Sequence, residues 1–241
     1  MAVLEARNLD VRFGELHAVR DVSLGVDRGE ILGLIGPNGA GKTTTFNAVS
    51  GVQRCTGTVV LDGVDVSKAA PDRRARLGMS RTFQRLEVFG SMTAYDNIRT
   101  AAEIAARGRR QPVRSALPVA ERVIDLVGLR DQADRRADAL PTGQARLVEL
   151  GRVLATGPKV VLLDEPASGL DDVETERLAR VLDALRADGM AVLLVEHDID
   201  LVMGLCSRVC VLNLGEVIAS GTPAEVRGDA AVQEAYLGAA V

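Results

Sequence analysis

Two segments far apart in the chain hold the residues best suited to chemistry. They are the loop Gly36-Pro37-Asn38-Gly39-Ala40-Gly41-Lys42-Thr43 and the apolar run Val160-Val161-Leu162-Leu163, which ends in Asp164-Glu165. The loop fits the pattern Gly-x4-Gly-Lys-Ser/Thr and follows the strand-like run Ile31-Leu32-Gly33-Leu34-Ile35, with a helix-like stretch through Val49 after it. Glycines let successive backbone N–H groups converge on phosphate oxygens, and the N-terminus of the next helix adds partial positive charge. Lys42 then reaches the β- and γ-phosphates of a nucleoside triphosphate, and the Thr43 hydroxyl takes one position on Mg2+. The competing account is a glycine-rich turn with no ligand, and the strand-then-helix context argues against it. A four-residue apolar run reads as a buried parallel strand, and open α/β sheets bind ligands at the carboxyl ends of such strands. Asp164 is therefore expected to be the second metal contact, through water, because Mg2+ keeps much of its hydration shell.

These residues need a scaffold, and 241 residues suffice for one substantial core or for a core plus a small subdomain. Hydrophobic residues at 47% and charged residues at 26% are ordinary for a soluble globular protein, while aromatics at 2% imply an aliphatic core. A formal charge of −4 gives no reason to expect a nucleic-acid partner, and the arginines at 73, 74, 76, 107, 109, 110, 135 and 136 read as solvated surface. No apolar stretch approaches the roughly 18 to 20 residues needed to span a bilayer. The opening Met1-Ala2-Val3-Leu4-Glu5-Ala6-Arg7 lacks a signal-peptide pattern, so a cytoplasmic location is expected, at a membrane only where a partner holds the chain there. Cys55, Cys206 and Cys210 lack metal-ligand spacing and read as reduced thiols acting as small apolar residues.

From Val3 to Asp27 apolar and polar residues alternate; with Gly57-Thr58-Val59-Val60-Leu61 and the turn Asp62-Gly63 this predicts an antiparallel sheet beside the nucleotide-binding core. From about Thr93 to Leu154 the spacing turns helical, as at Val119, Val123, Ile124 and Val127, broken by the polar segment Arg130 to Asp138. That stretch reads as a helical insertion. Val173 to Leu185 then predicts a helix, Ala191 to Val195 and Val209 to Leu212 buried strands, and Glu216 to Ser220 a last strand before two short helices. Such alternation argues for an α/β fold with a mainly parallel sheet covered on both faces.

With these elements placed, the chain resembles the ATP-binding subunit of an ABC transporter along essentially its whole length. The resemblance implies a P-loop NTPase core with a mainly parallel sheet, an antiparallel β subdomain and an inserted α-helical subdomain. One ABC ATPase domain would cover 1–241, with 1–92 and 155–241 forming the core and β subdomain and 93–154 the helical subdomain. ATP and Mg2+ are the implied cofactors, with Thr44 joining Gly36 to Thr43 around the phosphates. Phe13 falls where the family stacks an aromatic on adenine, although the residue alone reads equally as core. Gln84, in Arg81-Thr82-Phe83-Gln84, matches the glutamine that touches Mg2+ or the attacking water; Glu165 matches the carboxylate that polarises that water. Ser168-Gly169-Leu170-Asp171 resembles the D-loop, and His197 in Val195-Glu196-His197-Asp198 the switch histidine. His17 has no motif around it and receives no role.

The chain departs from the family at its most diagnostic element, where Leu140-Pro141-Thr142-Gly143-Gln144 stands for Leu-Ser-Gly-Gly-Gln. Pro141 offers neither hydroxyl nor N–H, but proline suits the first turn of a helix, and a helix N-terminus still faces a phosphate well. Thr142 is expected to supply the hydroxyl, and Gly143 and Gln144 to complete the site of an opposing subunit. The resemblance thus implies a homodimer, or a heterodimer with a similar ATPase subunit, with two ATP molecules in the interface. It also implies permease subunits gripping the surface near Gln84 to Ile98 and holding the chain on the inner face of the membrane. The run Gly78 to Phe89 and the ending Ala235-Tyr236-Leu237-Gly238 are similar to the branched-chain amino-acid importers, a group that also serves urea and short amides. An extracytoplasmic solute-binding protein is then a further partner. A lipid or drug exporter subunit shares these motifs. A soluble ABC ATPase acting on nucleic acid or ribosomes generally carries two nucleotide-binding units or a long coiled-coil insertion, and this chain has neither.

Overall fold

The alternating N-terminal segment forms β1 (Ala2–Phe13) and β2 (Leu16–Asp27), paired antiparallel, and β1 pairs antiparallel with β4 (Thr56–Leu61). With β5 (Val64–Asp65) the order in this sheet is β2-β1-β4-β5. The computed structural model describes residues 2–237, so Gly238 of the C-terminal resemblance lies outside the described residues.

The continuous apolar runs form a second sheet from β3 (Ile31–Ile35), β6 (Met79–Arg81), β7 (Val160–Asp164), β8 (Ala191–Val195), β9 (Arg208–Asn213) and β10 (Glu216–Gly221). Its order is β10-β9-β3-β8-β7-β6, parallel throughout except for the antiparallel β10–β9 pair. Every residue of β3, β7 and β8 is buried, as runs without polar alternation require when both faces are covered. The period of two divides the faces: Val161 and Leu163 join one core cluster with Ile98, Ile124 and Leu147, while Val160 and Leu162 join the other with Phe46, Leu4 and Val59. The second cluster lies between the two sheets and contains α1 (Lys42–Ser50).

The region of helical spacing is made of α3 (Ala94–Gly108), α4 (Ala116–Leu126) and α5 (Thr142–Ala155). Thr93 caps α3 by accepting from the Asp96 N–H at 3.0 Å. The polar break between α4 and α5 holds two short 3-10 turns, at Arg130–Gln132 and Ala137–Ala139. The predicted later helix is α6 (Asp172–Ala187), followed by α7 (Ile199–Leu205), α8 (Pro223–Gly228) and α9 (Ala230–Leu237). Sequence reasoning missed α2 (Pro71–Leu77) and the strand β6 after it. Both are short, though α2 carries a legible start and stop in Pro71 at its first turn and Gly78 at its C-cap. Cys206 and Cys210 are buried and unpaired, and burial pushes their thiols up to about 12 and about 11, so both stay protonated. Among the described residues no helix is long and apolar enough to cross a membrane.

Candidate functional site

Because β3, β7 and β8 run parallel, their carboxyl ends lie on one edge of the sheet, and each end carries a predicted motif. After β3 the chain turns through Gly36 at φ +149°, where a side chain would strike the Leu212 carbonyl, and Gly41 at φ +100°, where one would meet the Ala18 carbonyl. Both positions require glycine. Gly41 is the N-cap of α1 and makes no side-chain cap bond, so the first amides of α1 are left to an external acceptor. Lys42 is half-buried and folds back over the loop, donating from Nζ to the Gly36 carbonyl at 2.6 Å and the Pro37 carbonyl at 3.0 Å. Burial lowers its pKa, and the nearby Glu165 carboxylate opposes that shift.

Small-molecule and cofactor sites span roughly 300 to 1,000 Å³; the cavity at this loop measures about 440 Å³ and is lined by Phe13, His17, Asn38, Lys42, Thr43 and Glu165 among others. Ala40, Gly41 and Thr44 line it too. Phe13 is 49% exposed, so the core alternative for this ring does not hold. His17 lies beside it with its Nε2 against Asp10 Oδ1, a placement that nothing in the surrounding sequence signals.

At the end of β7, Asp164 is buried; its N–H donates to Thr82 Oγ1 at 3.2 Å and its Oδ2 lies 3.3 Å from Arg81 Nη2. Burial raises its pKa, while Arg81 pulls the other way. Glu165 then takes φ +48°, an unusual left-handed conformation for a glutamate, fixed by its N–H donating to the Val195 carbonyl at 2.8 Å. Gln84 Nε2 donates to Glu165 Oε2 at 3.1 Å, and His197 Nδ1 stands 4.0 Å from the same oxygen. Gln84, Glu165 and His197, separated widely in sequence, therefore converge.

Holding that cluster is a residue sequence reasoning missed. Glu196 is fully buried; its Oε1 accepts from the Ala167 N–H at 2.8 Å and its Oε2 from the His197 N–H at 3.1 Å. Burial raises its pKa, and these backbone N–H groups oppose the shift. One carboxylate thus ties the loop after Glu165 to the loop bearing His197. The only sequence signal was an acidic residue directly after a fully apolar strand.

The segment 142–144 does not line the phosphate-loop cavity of its own chain. Thr142 is exposed as the first residue of α5, with Pro141 just before it as the N-cap, so proline stands outside the helix rather than within its first turn. Gly143 is buried, and an added Cβ would run into the Glu174 carboxylate of α6. Gln144 Oε1 is buried without a hydrogen-bond partner among the described residues. Asp171 caps α6, accepting from the Glu174 N–H at 2.8 Å while Glu174 returns a bond to the Asp171 N–H.

Three side chains on one face of α5 grip the loop that bears Gln84. Arg146 donates to the Gln84 carbonyl at 2.7 Å, Glu149 accepts from the Glu87 N–H at 3.1 Å, and Arg152 donates to the Glu87 carbonyl while covering the Phe89 ring. Next to this loop lies a second, mostly apolar cavity of about 450 Å³ whose rim includes Val52, Phe83 and Ile104, all exposed. At the other end of the chain, the Tyr236 phenol of α9 meets the backbone of Gly36.

Residues 19–168 match the family model for the ABC transporter, and residues 216–241 match that for the branched-chain amino acid ATP-binding cassette transporter. The chain is 38% identical to the high-affinity branched-chain amino acid transport ATP-binding protein BraF of Pseudomonas aeruginosa, over 99% of this chain and 98% of that protein. It is 37% identical, with the same coverage, to the lipopolysaccharide export system ATP-binding protein LptB of Haemophilus influenzae. Among solved structures, the ADP conformation of MJ1267, an ATP-binding cassette of an ABC transporter, superposes with a TM-score of 0.85 at 29% identity, covering 99% of each chain. The phosphate loop at one strand end, the paired carboxylates at the next and the match across the chain lead to one conclusion: it belongs to the ABC transporter family as an ATP-binding and ATP-hydrolysing subunit, in the branched-chain amino acid transporter group.

Proposed function

We propose that this chain powers uptake of branched-chain amino acids, holding ATP between its own phosphate loop and residues 142–144 of a second ATPase subunit. Lys42 and the amides of Gly36 to Thr44 hold the β- and γ-phosphates, and the Phe13 ring stacks on adenine. Thr43 and Asp164 offer only oxygen donors, which suits Mg2+, and no cluster of three or more His, Cys, Asp or Glu among the described residues competes as a protein-only metal cage. Such a metal neutralises charge on the phosphates when bound. Gln84 and Glu165 orient and polarise the attacking water, and His197 steadies the γ-phosphate. Thr142, Gly143, Gln144 and Asp171 act on the nucleotide of the opposing subunit. In this arrangement 93–154 works as the helical subdomain against the remaining core. The apolar cavity beside Phe83 receives permease subunits at the cytoplasmic face of the membrane, and an extracytoplasmic binding protein delivers the solute.

The observation that carries the choice of solute is the match of residues 216–241 to the branched-chain amino acid group. The likeness to LptB favours lipid export as the second reading. Mass spectrometry of proteins co-purifying with the C-terminally tagged subunit from gently solubilised native membranes separates the two. Recovery of permeases with a binding protein that takes up leucine, isoleucine or valine in calorimetry is the expected result. Recovery of a permease with lipid-transfer components, and no solute-binding protein, would establish export instead.

A further inference from the structure

Arg81 lines the apolar cavity and reaches Asp164 at the end of β7, and none of the roles above uses it. Its Nη1 donates to Asn47 Oδ1 and to Ser50 Oγ, both at 2.8 Å, at the end of α1; its Nη2 faces Asp164 Oδ2 at 3.3 Å. The guanidinium packs on two rings, 4.8 Å from the centroid of Phe46 and 4.6 Å from that of Phe83. Only 12% of the side chain is exposed, and Arg81 forms part of the wall of the apolar cavity. One rigid fork therefore touches the phosphate-binding helix, the carboxylate at the end of β7, and the ring next to Gln84.

A guanidinium is planar and carries its donors in fixed directions, so it cannot move relative to Asp164 without moving relative to Asn47, Ser50 and Phe83. It is also a cation beside the carboxylate assigned to Mg2+. We propose that Arg81 is a positioning residue that competes with the divalent cation for Asp164 and passes the outcome to Phe83, and so to the permease-facing cavity. A metal at Asp164 shifts the guanidinium toward Asn47 and Ser50, and its ring contact with Phe83 changes with it. The inference rests on the metal role given to Asp164 and on the permease role given to the cavity, but the test needs no permease.

The chain contains no tryptophan, so Phe83→Trp gives a single reporter on the Arg81 guanidinium. The full-length variant, saturated with a non-hydrolysable ATP analogue, is titrated with MgCl2 while tryptophan emission and analogue affinity are followed. A Mg2+-dependent emission change is expected with Arg81 present and is expected to be lost with Arg81→Gln. The Mg2+ concentration at half-effect on analogue affinity should fall by a factor of about 3 to 10 in Arg81→Gln, since a competing cation is gone. Arg81→Lys keeps the charge without the fork, so it should lose the emission change and keep the parental Mg2+ midpoint; if Arg81→Gln does not fold, an emission change that survives in Arg81→Lys overturns the proposal by itself. A purely structural arginine would change melting temperature in these variants and leave the midpoint alone. An emission change that survives both substitutions, or a midpoint unchanged in Arg81→Gln, overturns the proposal and leaves the site assignment intact. Absence of any Mg2+ effect on analogue binding in the Arg81-containing chain overturns both.

Discussion

At the scale of single residues, the most exacting demand falls on Glu196, whose two oxygens accept from backbone N–H groups of separate loops. Glu196→Gln puts an amide donor against one of those N–H groups. Turnover should fall by about 10 to 100-fold with KM for ATP little changed, because the loops bearing Glu165 and His197 lose their common anchor while the phosphate loop does not. Steady-state kinetics on the full chain checks this, and a matching rise in KM would place Glu196 in binding instead. The same group links stability to pH. Its folded pKa is raised above the ordinary glutamate value of 4.5, so between 4.5 and the raised value the native state holds the extra proton and stability grows as pH falls. The parent should gain stability relative to Glu196→Gln as pH is lowered from neutral toward 4.5, read as a widening difference in denaturant midpoint. Thr142 makes a separate case: it is exposed at the first position of α5, where its hydroxyl is available to a partner's phosphate. Thr142→Val should abolish most hydrolysis while nucleotide binding persists, and unchanged turnover would remove it from the site. Lys42, Asp164, Glu165, Gln84 and His197 were legible beforehand because each belongs to a local pattern of fixed spacing. Glu196 and Arg81 were not, since the partners that define them lie 29 and 83 residues away.

Among the elements, α1 depends on an arginine from α2. Arg74 is buried at 2% exposure and donates to the carbonyls of Ala48, Val49, Ser67 and Ala69, closing the C-terminal end of the phosphate-binding helix. A cation is favourable there, and removing it strands several carbonyls. Arg74→Met should cost about 2 to 3 kcal/mol, and a melting temperature lower by roughly 4 to 12 °C in calorimetry is expected. A change within about 0.5 kcal/mol would show that water replaces the guanidinium without cost. From the sequence alone Arg74 reads as solvated surface, and its burial corrects that, since nothing local distinguishes an arginine facing solvent from one folded under its own helix. The long strands were readable for the opposite reason: unbroken apolar runs can only be buried on both faces. β6 has three residues, too few for a period to show, and its pairing with β7 is decided by the sheet.

For the whole molecule, the two sheets divide the labour. Phe13 comes from the antiparallel sheet, while the phosphate loop and the carboxylates come from the parallel one. The groups assigned to an opposing nucleotide, 142 to 144, do not line the cavity of their own chain, so the proposed site draws its parts from two subunits. Glu165→Gln keeps the size of the side chain and removes the charge proposed to polarise water. With ATP and Mg2+ that variant should elute at twice the protomer mass while hydrolysis is nearly lost; a monomer under those conditions would argue against a nucleotide-bridged pair. Lys42→Ala should instead weaken nucleotide binding itself and leave no dimer at the same ATP concentration.

The packing of Gly143 against the Glu174 carboxylate changes how genetics at this position must be read. In the proposed dimer a loss-of-function allele there would suggest a missing contact with the other subunit's phosphate, yet even one added methyl must push the Glu174 carboxylate out of the cap of α6 within the same chain. Second-site suppression separates the causes. Shortening residue 174, as in Glu174→Ala, should restore much of the activity of Gly143→Ala if the collision is the defect, and none of it if the lost partner is phosphate.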